Sequence, residues 1–296
     1  MDNREEHKGK KAEKGNEPLE RFRGGTIPWK VSMDEAWKEV EGRTVKGGVS
    51  KPGGTVSVKL RMGLWHYSAA AVIIILFGLT SFMRFYSRSY STDQGENMVV
   101  TLPDGSVASL NAATKVKYNP LWWNISRSIT LEGEAFFEVE KGEEFEVLSS
   151  PGSTMVLGTS FNVLARNDIY EVTCITGKVK VVAGSSGDEA ILNPSHKAVL
   201  GASGELLVDT EADISASTAW RRGEFIFTSV PLEKVFSEIE LRYGATINYK
   251  AKDDLNYTGY FKGDNDIEKV LELVCIPFGI KFEKASEGVY RIIQDE

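Results

Sequence analysis

Between Arg61 and Arg84 the chain carries no formally charged side chain, and the run from Trp65 to Met83 is apolar with no polar stripe along it. A helix rises about 1.5 Å per residue, so roughly 20 such residues cross the ~30 Å hydrocarbon core of a bilayer. A core helix of a soluble protein would normally show one polar side over this length. Residues 65–83 are therefore expected to form a single transmembrane helix. Trp65 and Tyr67 at one end, with Phe85, Tyr86 and Tyr90 at the other, are the amphipathic aromatics that settle at headgroup level.

N-terminal to this run the pattern is different. Residues 1–24 hold little to bury and are expected to be disordered. A helix then starts at Ser32, because Ser32 and Glu35 have capping-box spacing, hydroxyl and carboxylate each serving a free backbone donor. Met33, Trp37, Val40 and Thr44 fall on one stripe of it, with Trp29 just upstream. A short helix with one apolar side and no core of its own is suited to a partner's groove. Its polar face alternates in sign, whereas a helix lying on a membrane surface would be rich in Lys and Arg. Residues 44–63 contain Gly47-Gly48 and Pro52-Gly53-Gly54 and read as linker.

Beyond residue 84 the chain is expected to run as a linker to residue 96 and then as an all-β domain over 97–212, a sandwich or a solenoid-like stack. Val99, Val100 and Leu102 precede Pro103-Asp104-Gly105, and Val107 and Leu110 follow, a hairpin signal. Further short runs carry Ala135, Phe137 and Val139, then Phe145 and Val147, Phe161 and Val163, Val172 and Cys174, Val179 and Val181. Residues 220–296 instead contain an internal repeat. Leu232-Glu-Lys-Val235 recurs as Ile267-Glu-Lys-Val270, and Tyr243-Gly244 as Phe278-Gly279, both at an offset of 35 residues. Each half reads as strand, helix, strand, which predicts a small α+β domain of plan βαβ–βαβ completing one sheet. Pro277 is expected to end the second helix early.

Charge changes the picture on each side of the apolar run. Residues 1–64 hold 14 Lys and Arg against 10 Asp and Glu, net +4, leaving 21 against 32, net −11, for residues 65–296. Lys46, Lys51, Lys59 and Arg61 outnumber Arg84 and Arg88 near the two ends, so the N-terminus is expected in the cytoplasm and the remainder across the membrane. An acidic exported part argues against direct nucleic-acid binding. Cys174 and Cys275 lie too far apart in sequence to suggest a disulfide framework, and only His7, His66 and His196 are available, so neither a metal site nor a cofactor is expected.

Gly133-Glu-Ala-Phe-Phe-Glu-Val139, Phe145-Glu-Val147, Val156-Leu-Gly-Thr-Ser-Phe-Asn-Val163 and Val172-Thr-Cys-Ile-Thr-Gly-Lys-Val179 resemble, in order, the motif series of the FecR family. Trp220-Arg-Arg-Gly-Glu-Phe-Ile-Phe227 is similar to the lead-in of the C-terminal module in long FecR-like proteins, and the repeat resembles the short N-terminal modules of secretins and TonB-dependent transducers. The resemblance implies a single-pass inner-membrane anti-sigma factor with periplasmic C-terminal domains. It would relay a signal from the periplasmic signalling domain of a TonB-dependent outer-membrane transducer to a cytoplasmic extracytoplasmic-function sigma factor, with an intramembrane protease as a further partner. Trp29, Met33, Trp37 and Val40 would then contact the sigma factor, and the transducer would bind within Trp220 to Ile293. The competing reading is an envelope scaffold that binds a secretion channel or cell-wall glycan.

No nucleophile elbow, P-loop or paired metal-ligand motif is present, so the chain is not expected to be an enzyme. One narrower chemistry follows from the resemblance: some FecR-family proteins cut themselves at a Gly-Thr bond, which makes Gly158 and Thr159 the self-cleavage candidate. The plainer expectation is that Gly158 permits a bend between strands.

Overall fold

The computed structural model describes residues 32–44, 64–250, 254–263 and 266–293. The segment 1–24, Trp29, the linker 45–63 and the side chain of Thr44 lie outside the described residues. The chain divides into two compact units, Met1–Met62 and Gly63–Glu296. In the first, helix α1 spans Met33–Thr44. The capping box forms: the Glu35 N–H donates to Ser32 Oγ at 3.4 Å and the Ser32 N–H donates to Glu35 Oε2 at 3.3 Å. Asp34 and Glu35 occupy the first turn, where the helix dipole favours negative charge.

The second unit opens with α2, Leu64–Phe85, a helix of 22 residues. Its Tyr67–Phe85 portion is long and apolar enough to cross a membrane, and none of that portion is buried by the rest of the chain.

Thirteen strands follow: β1 (Arg88–Thr92), β2 (Met98–Thr101), β3 (Val107–Leu110), β4 (Thr114–Tyr118), β5 (Arg127–Glu138), β6 (Phe145–Leu148), β7 (Gly152–Val156), β8 (Ser160–Arg166), β9 (Ile169–Cys174), β10 (Val179–Ala183), β11 (Glu189–Leu192), β12 (Lys197–Leu200) and β13 (Leu206–Asp209). They make one continuous sheet folded on itself about β5. The first half of β5 pairs antiparallel with β4 and parallel with β6, and its second half pairs antiparallel with β3 and β8. One face of the sandwich is thus β1-β4-β5-β6-β7-β10-β11 and the other β2-β3-β5-β8-β9-β12-β13. At the far edges the Leu206 N–H donates to Asp188 Oδ2 at 2.8 Å and the Ser186 hydroxyl to the Gly204 carbonyl at 2.6 Å, so the sheet is nearly closed. Of the two expected forms it is a sandwich, not a solenoid.

The crossing point is Gly133, whose φ of 117° is a backbone state that L side chains rarely adopt. A Cβ there would lie 2.6 Å from Thr114 Oγ1 and 2.7 Å from Thr114 Cα. The close approach lets Thr114 Oγ1 accept the Glu134 N–H at 3.0 Å, which keeps the backbone paired where β5 changes sheets. Aromatic rings fill the space between the faces. Phe137 stacks on Phe161 at 5.2 Å and meets Phe145 at 6.0 Å, and Trp123 joins Phe145 at 5.9 Å and Tyr118 at 5.4 Å.

The segment 84–96, expected as linker, contains β1, which pairs with β4 from Arg88↔Tyr118 to Thr92↔Thr114. The reason is that only Tyr90 and Thr92 of β1 turn inward while Ser89 and Ser91 face out, an alternation without aliphatic residues.

After the sandwich a short helix α3 (Ile214–Thr218) is capped by Asp213, whose carboxylate accepts the Ser215 N–H at 2.8 Å. A 3₁₀ turn, Ala219–Arg222, ends at Gly223 with φ 69°. Then come β14 (Glu224–Pro231), α4 (Leu232–Tyr243), β15 (Thr246–Asn248), β16 (Asn256–Lys262), α5 (Ile267–Cys275), β17 (Lys281–Ser286) and β18 (Val289–Ile293). The strand–helix–strand order repeats, but the strands form two small sheets, not one. β14 pairs antiparallel with β16, while β18 lies between β15, in parallel, and β17, antiparallel. With three residues and one buried side chain, Ile247, β15 offers too short a ladder to bridge the two pairs. Both sheets and both helices share one core that includes Phe225, Val235, Ile239, Phe261, Leu271 and Val274. Pro277 lies in a 3₁₀ turn, Ile276–Phe278, that follows the end of α5 at Cys275.

Candidate functional site

The apolar stripe expected on α1 forms and is exposed. Met33, Trp37 and Val40, at spacings of four and three, are 88%, 67% and 51% exposed. Trp29, the fourth expected anchor, lies outside the described residues.

A second site lies where the sandwich meets the C-terminal α/β portion, along a cleft of about 700 Å³ lined by Glu134, Asn162, Arg166, Trp220 and Glu238 among others. Glu134 projects from β5 directly after Gly133 and is buried. Its two carboxylate oxygens accept from Asn111 Nδ2 at 2.7 Å and Asn162 Nδ2 at 2.9 Å. Asn162 Oδ1 in turn accepts from Trp220 Nε1 at 3.3 Å, so the lead-in tryptophan plugs into the polar cluster of the sandwich. One residue on, the Arg221 guanidinium lies 3.8 Å from the centroid of the Phe136 ring and pairs with Glu138 at 3.4 Å. Thr173 Oγ1 donates to Ser217 Oγ at 3.0 Å, and the Gly95 N–H donates to the Leu241 carbonyl at 2.8 Å, extending the seam on both sides.

Burial pushes the Glu134 carboxyl up to about 7, reinforced by the nearby Glu238 charge and only partly offset by the two asparagines and Arg166. Glu238, on α4, is raised in the same direction by burial. Because the folded value of Glu134 lies above the ordinary 4.5, the unfolded chain binds fewer protons than the native one in between, and stability falls as pH rises through that window. From pH 4.5 to 7 the folded domains beyond α2 should lose on the order of 3 kcal/mol. Denaturant titrations at several pH values measure this, and Glu134→Gln should flatten the slope whatever it does to absolute stability.

The sequence reading missed this cluster. Its signal was available in Ala135-Phe136-Phe137, since consecutive apolar residues in a strand mean that both faces are covered. Here the second face is covered by the 3₁₀ turn that carries Trp220 and Arg221.

The structure separates the remaining candidates. Gly158 follows β7 with φ 148°, and a Cβ there would lie 2.8 Å from Lys141 Cα, so the close approach of the backbone already requires glycine. Thr159 is buried; its hydroxyl donates to the Lys178 carbonyl at 3.1 Å and its own carbonyl accepts the Val139 N–H at 3.0 Å. Within 220–293, β14, β16, β15 and β17 each have one unpaired edge among the described residues, and Tyr260, Leu273 and Ile276 are exposed. Burial pushes the thiols of Cys174 and Cys275 up to about 11, so neither is a thiolate at neutral pH. Among the described residues no group of His, Cys, Asp and Glu is arranged to hold a metal ion.

Residues 88–180 match the family model described as FecR protein, and residues 224–292 the model described as FecR, C-terminal. Two crystal structures of a candidate anti-sigma factor from Parabacteroides distasonis ATCC 8503 are each 31% identical to the chain, with a TM-score of 0.64. Each covers 71% of this chain and is itself covered over 100% of its length. None of the curated proteins matches. The first family match runs from β1 into β10 and the second from β14 into β18, and with the 31% identity to the candidate anti-sigma factor over its whole length they show that the chain belongs to the FecR family.

Proposed function

We propose that the chain is a single-pass inner-membrane anti-sigma factor. α1 holds an extracytoplasmic-function sigma factor in the cytoplasm, α2 crosses the bilayer, and the sandwich with its C-terminal module receives a signal in the periplasm from a TonB-dependent transducer. The observation that carries the reading is the order of parts: a capped helix exposing Met33 and Trp37, then an apolar 22-residue helix, then FecR-family domains. The likeness to a candidate anti-sigma factor supports it. Exposed aromatics on a short helix match the anchors that dominate interface energetics. Unpaired edges of the C-terminal sheets suit strand addition by the transducer's signalling domain. Proteolysis within or beside α2 would pass the message inward.

The full chain solubilised from membranes should carry a sigma factor with it, and a chain lacking residues 1–45 should not. A deleted chain that keeps both its partner and its effect on transcription would instead favour an envelope scaffold.

Self-cleavage at 158–159 is not needed by this relay. Thr159 donates its hydroxyl to a carbonyl and has no base among the described hydrogen-bond partners. Thr159→Ala should therefore leave the fragment pattern on a denaturing gel unchanged. Disappearance of a fragment boundary at that bond would assign the chemistry to Thr159.

A further inference from the structure

The end of α2 is tied to one turn of the sandwich by two side chains, Asn119 and Arg84. Asn119, after β4, donates through Nδ2 to the Met83 carbonyl at 2.8 Å and the Arg84 carbonyl at 2.9 Å, two of the acceptors that a helix C-terminus otherwise leaves unpaired. The same residue accepts through Oδ1 from the N–H groups of Leu121 and Trp122, both at 3.0 Å. The Arg84 guanidinium lies 5.9 Å from the Trp122 ring, a second tie between helix and turn. Only Tyr86 and Ser87 separate α2 from β1, so Phe85 and Arg88 lie within a reach of roughly 11 Å at most.

The turn 119–126 is built to present apolar groups outward. Trp123 points into the core and is 2% exposed, while Leu121 is 44% and Ile125 69% exposed and Trp122 is half-buried. The Ile125 and Ser126 N–H groups both donate to the Trp122 carbonyl, at 2.9 and 3.0 Å, so the turn is closed on itself. Phe82 and Phe85, at 61% and 80% exposure, continue the same apolar character on the last turn of α2. A helix of 22 residues is about 33 Å long, so its end falls near the boundary between hydrocarbon and headgroups. Leu121, Trp122 and Ile125 are tied to that end by Asn119.

We propose that the turn 119–126 is a membrane-docking surface, with Leu121, Trp122 and Ile125 seated in the headgroup layer of the bilayer that α2 crosses. The inference rests on the spanning role proposed for α2. Glu143 and Glu144 line the cleft beside Ile125, so the attraction is apolar and does not depend on anionic lipid. Docking gives the sandwich a fixed orientation to the bilayer and not a free tether, and a movement of the sandwich would then be transmitted to the last turn of α2 through Asn119.

The test places single nitroxide labels on the full chain in nanodiscs of zwitterionic phosphatidylcholine. Ile125→Cys and, as an independent second position, Leu121→Cys report on the turn, Ile75→Cys on the middle of α2, and Tyr260→Cys on an exposed strand; the native thiols are buried. Labels at residues 125 and 121 should be several-fold more accessible to oxygen, relative to a water-soluble nickel chelate, than the label at residue 260. Adding phosphatidylglycerol should not change that ratio. If the label at residue 75 is in hydrocarbon but those at 121 and 125 match residue 260, docking is overturned and the spanning reading stands. A label at residue 75 that the nickel chelate reaches overturns both.

Discussion

Replacing Gly133 by Ala should destabilise the sandwich by about 2–5 kcal/mol, combining ~1–2 kcal/mol for an L residue at positive φ with ~1–3 kcal/mol for overpacking. Both penalties arise at one atom. The new Cβ would stand 2.6 Å from Thr114 Oγ1 and 2.7 Å from Thr114 Cα, and the backbone atom cannot move without breaking the β4–β5 ladder. Nor can β5 untwist, since a relaxed φ would stop its second half from reaching β3 and β8. Denaturant unfolding followed by tryptophan fluorescence measures the change, because Trp123 is buried in the affected core. A shift below about 0.5 kcal/mol, the usual range for a harmless surface change, would mean that the crossing does not need glycine.

Phe137→Ala should cost about 3–5 kcal/mol, the range for truncating a buried aromatic and leaving a cavity. Phe137 is fully buried and is the shared neighbour of Phe161 and Phe145, one from each face of the sandwich. Its loss uncouples the faces where β5 joins them. The adjacent residue supplies the contrast. Phe136 points to the other side, beneath Arg221, so Phe136→Ala should loosen the C-terminal portion from the sandwich while leaving the sandwich folded. Limited proteolysis near residues 213–223 separates the two outcomes: cleavage there with an intact β-domain for Phe136→Ala, and general degradation for Phe137→Ala.

How far the sequence carried depends on whether the physical signal was local. α2 was legible because a run without polar stripe or charge has few other uses, and the capping box at Ser32 and Glu35 predicted a helix start that forms as expected. The repeat in the C-terminal portion was legible from the 35-residue offset, but the pairing of its strands was not, since pairing depends on length and on which faces the helices occupy. β1 was hidden by its serines. β4 was overlooked although Lys115, Val116, Lys117 and Tyr118 alternate, with the lysines out and Val116 and Tyr118 in.

The polar cluster around Glu134 was illegible for a different reason. Asn111, Glu134, Asn162, Trp220 and Glu238 come together only when β3, β5, β8, the 3₁₀ turn and α4 are already placed, and each residue alone is an ordinary polar side chain. The role of Asn119 is equally non-local, joining a helix end to a turn 35 residues away. For Met33, Trp37 and Val40 the stripe itself was local and is present, while their role in binding is a statement about a partner.

The most direct test of the anti-sigma reading is affinity capture with residues 1–63 from a lysate of the protein's own cells, followed by titration of the captured sigma factor against wild type and Trp37→Ala. The account predicts capture of an extracytoplasmic-function sigma factor and a loss of about 2 kcal/mol or more, roughly 30-fold in Kd, for the substitution. Absence of any sigma factor from the wild-type capture, or equal affinity for the two tails, would contradict it.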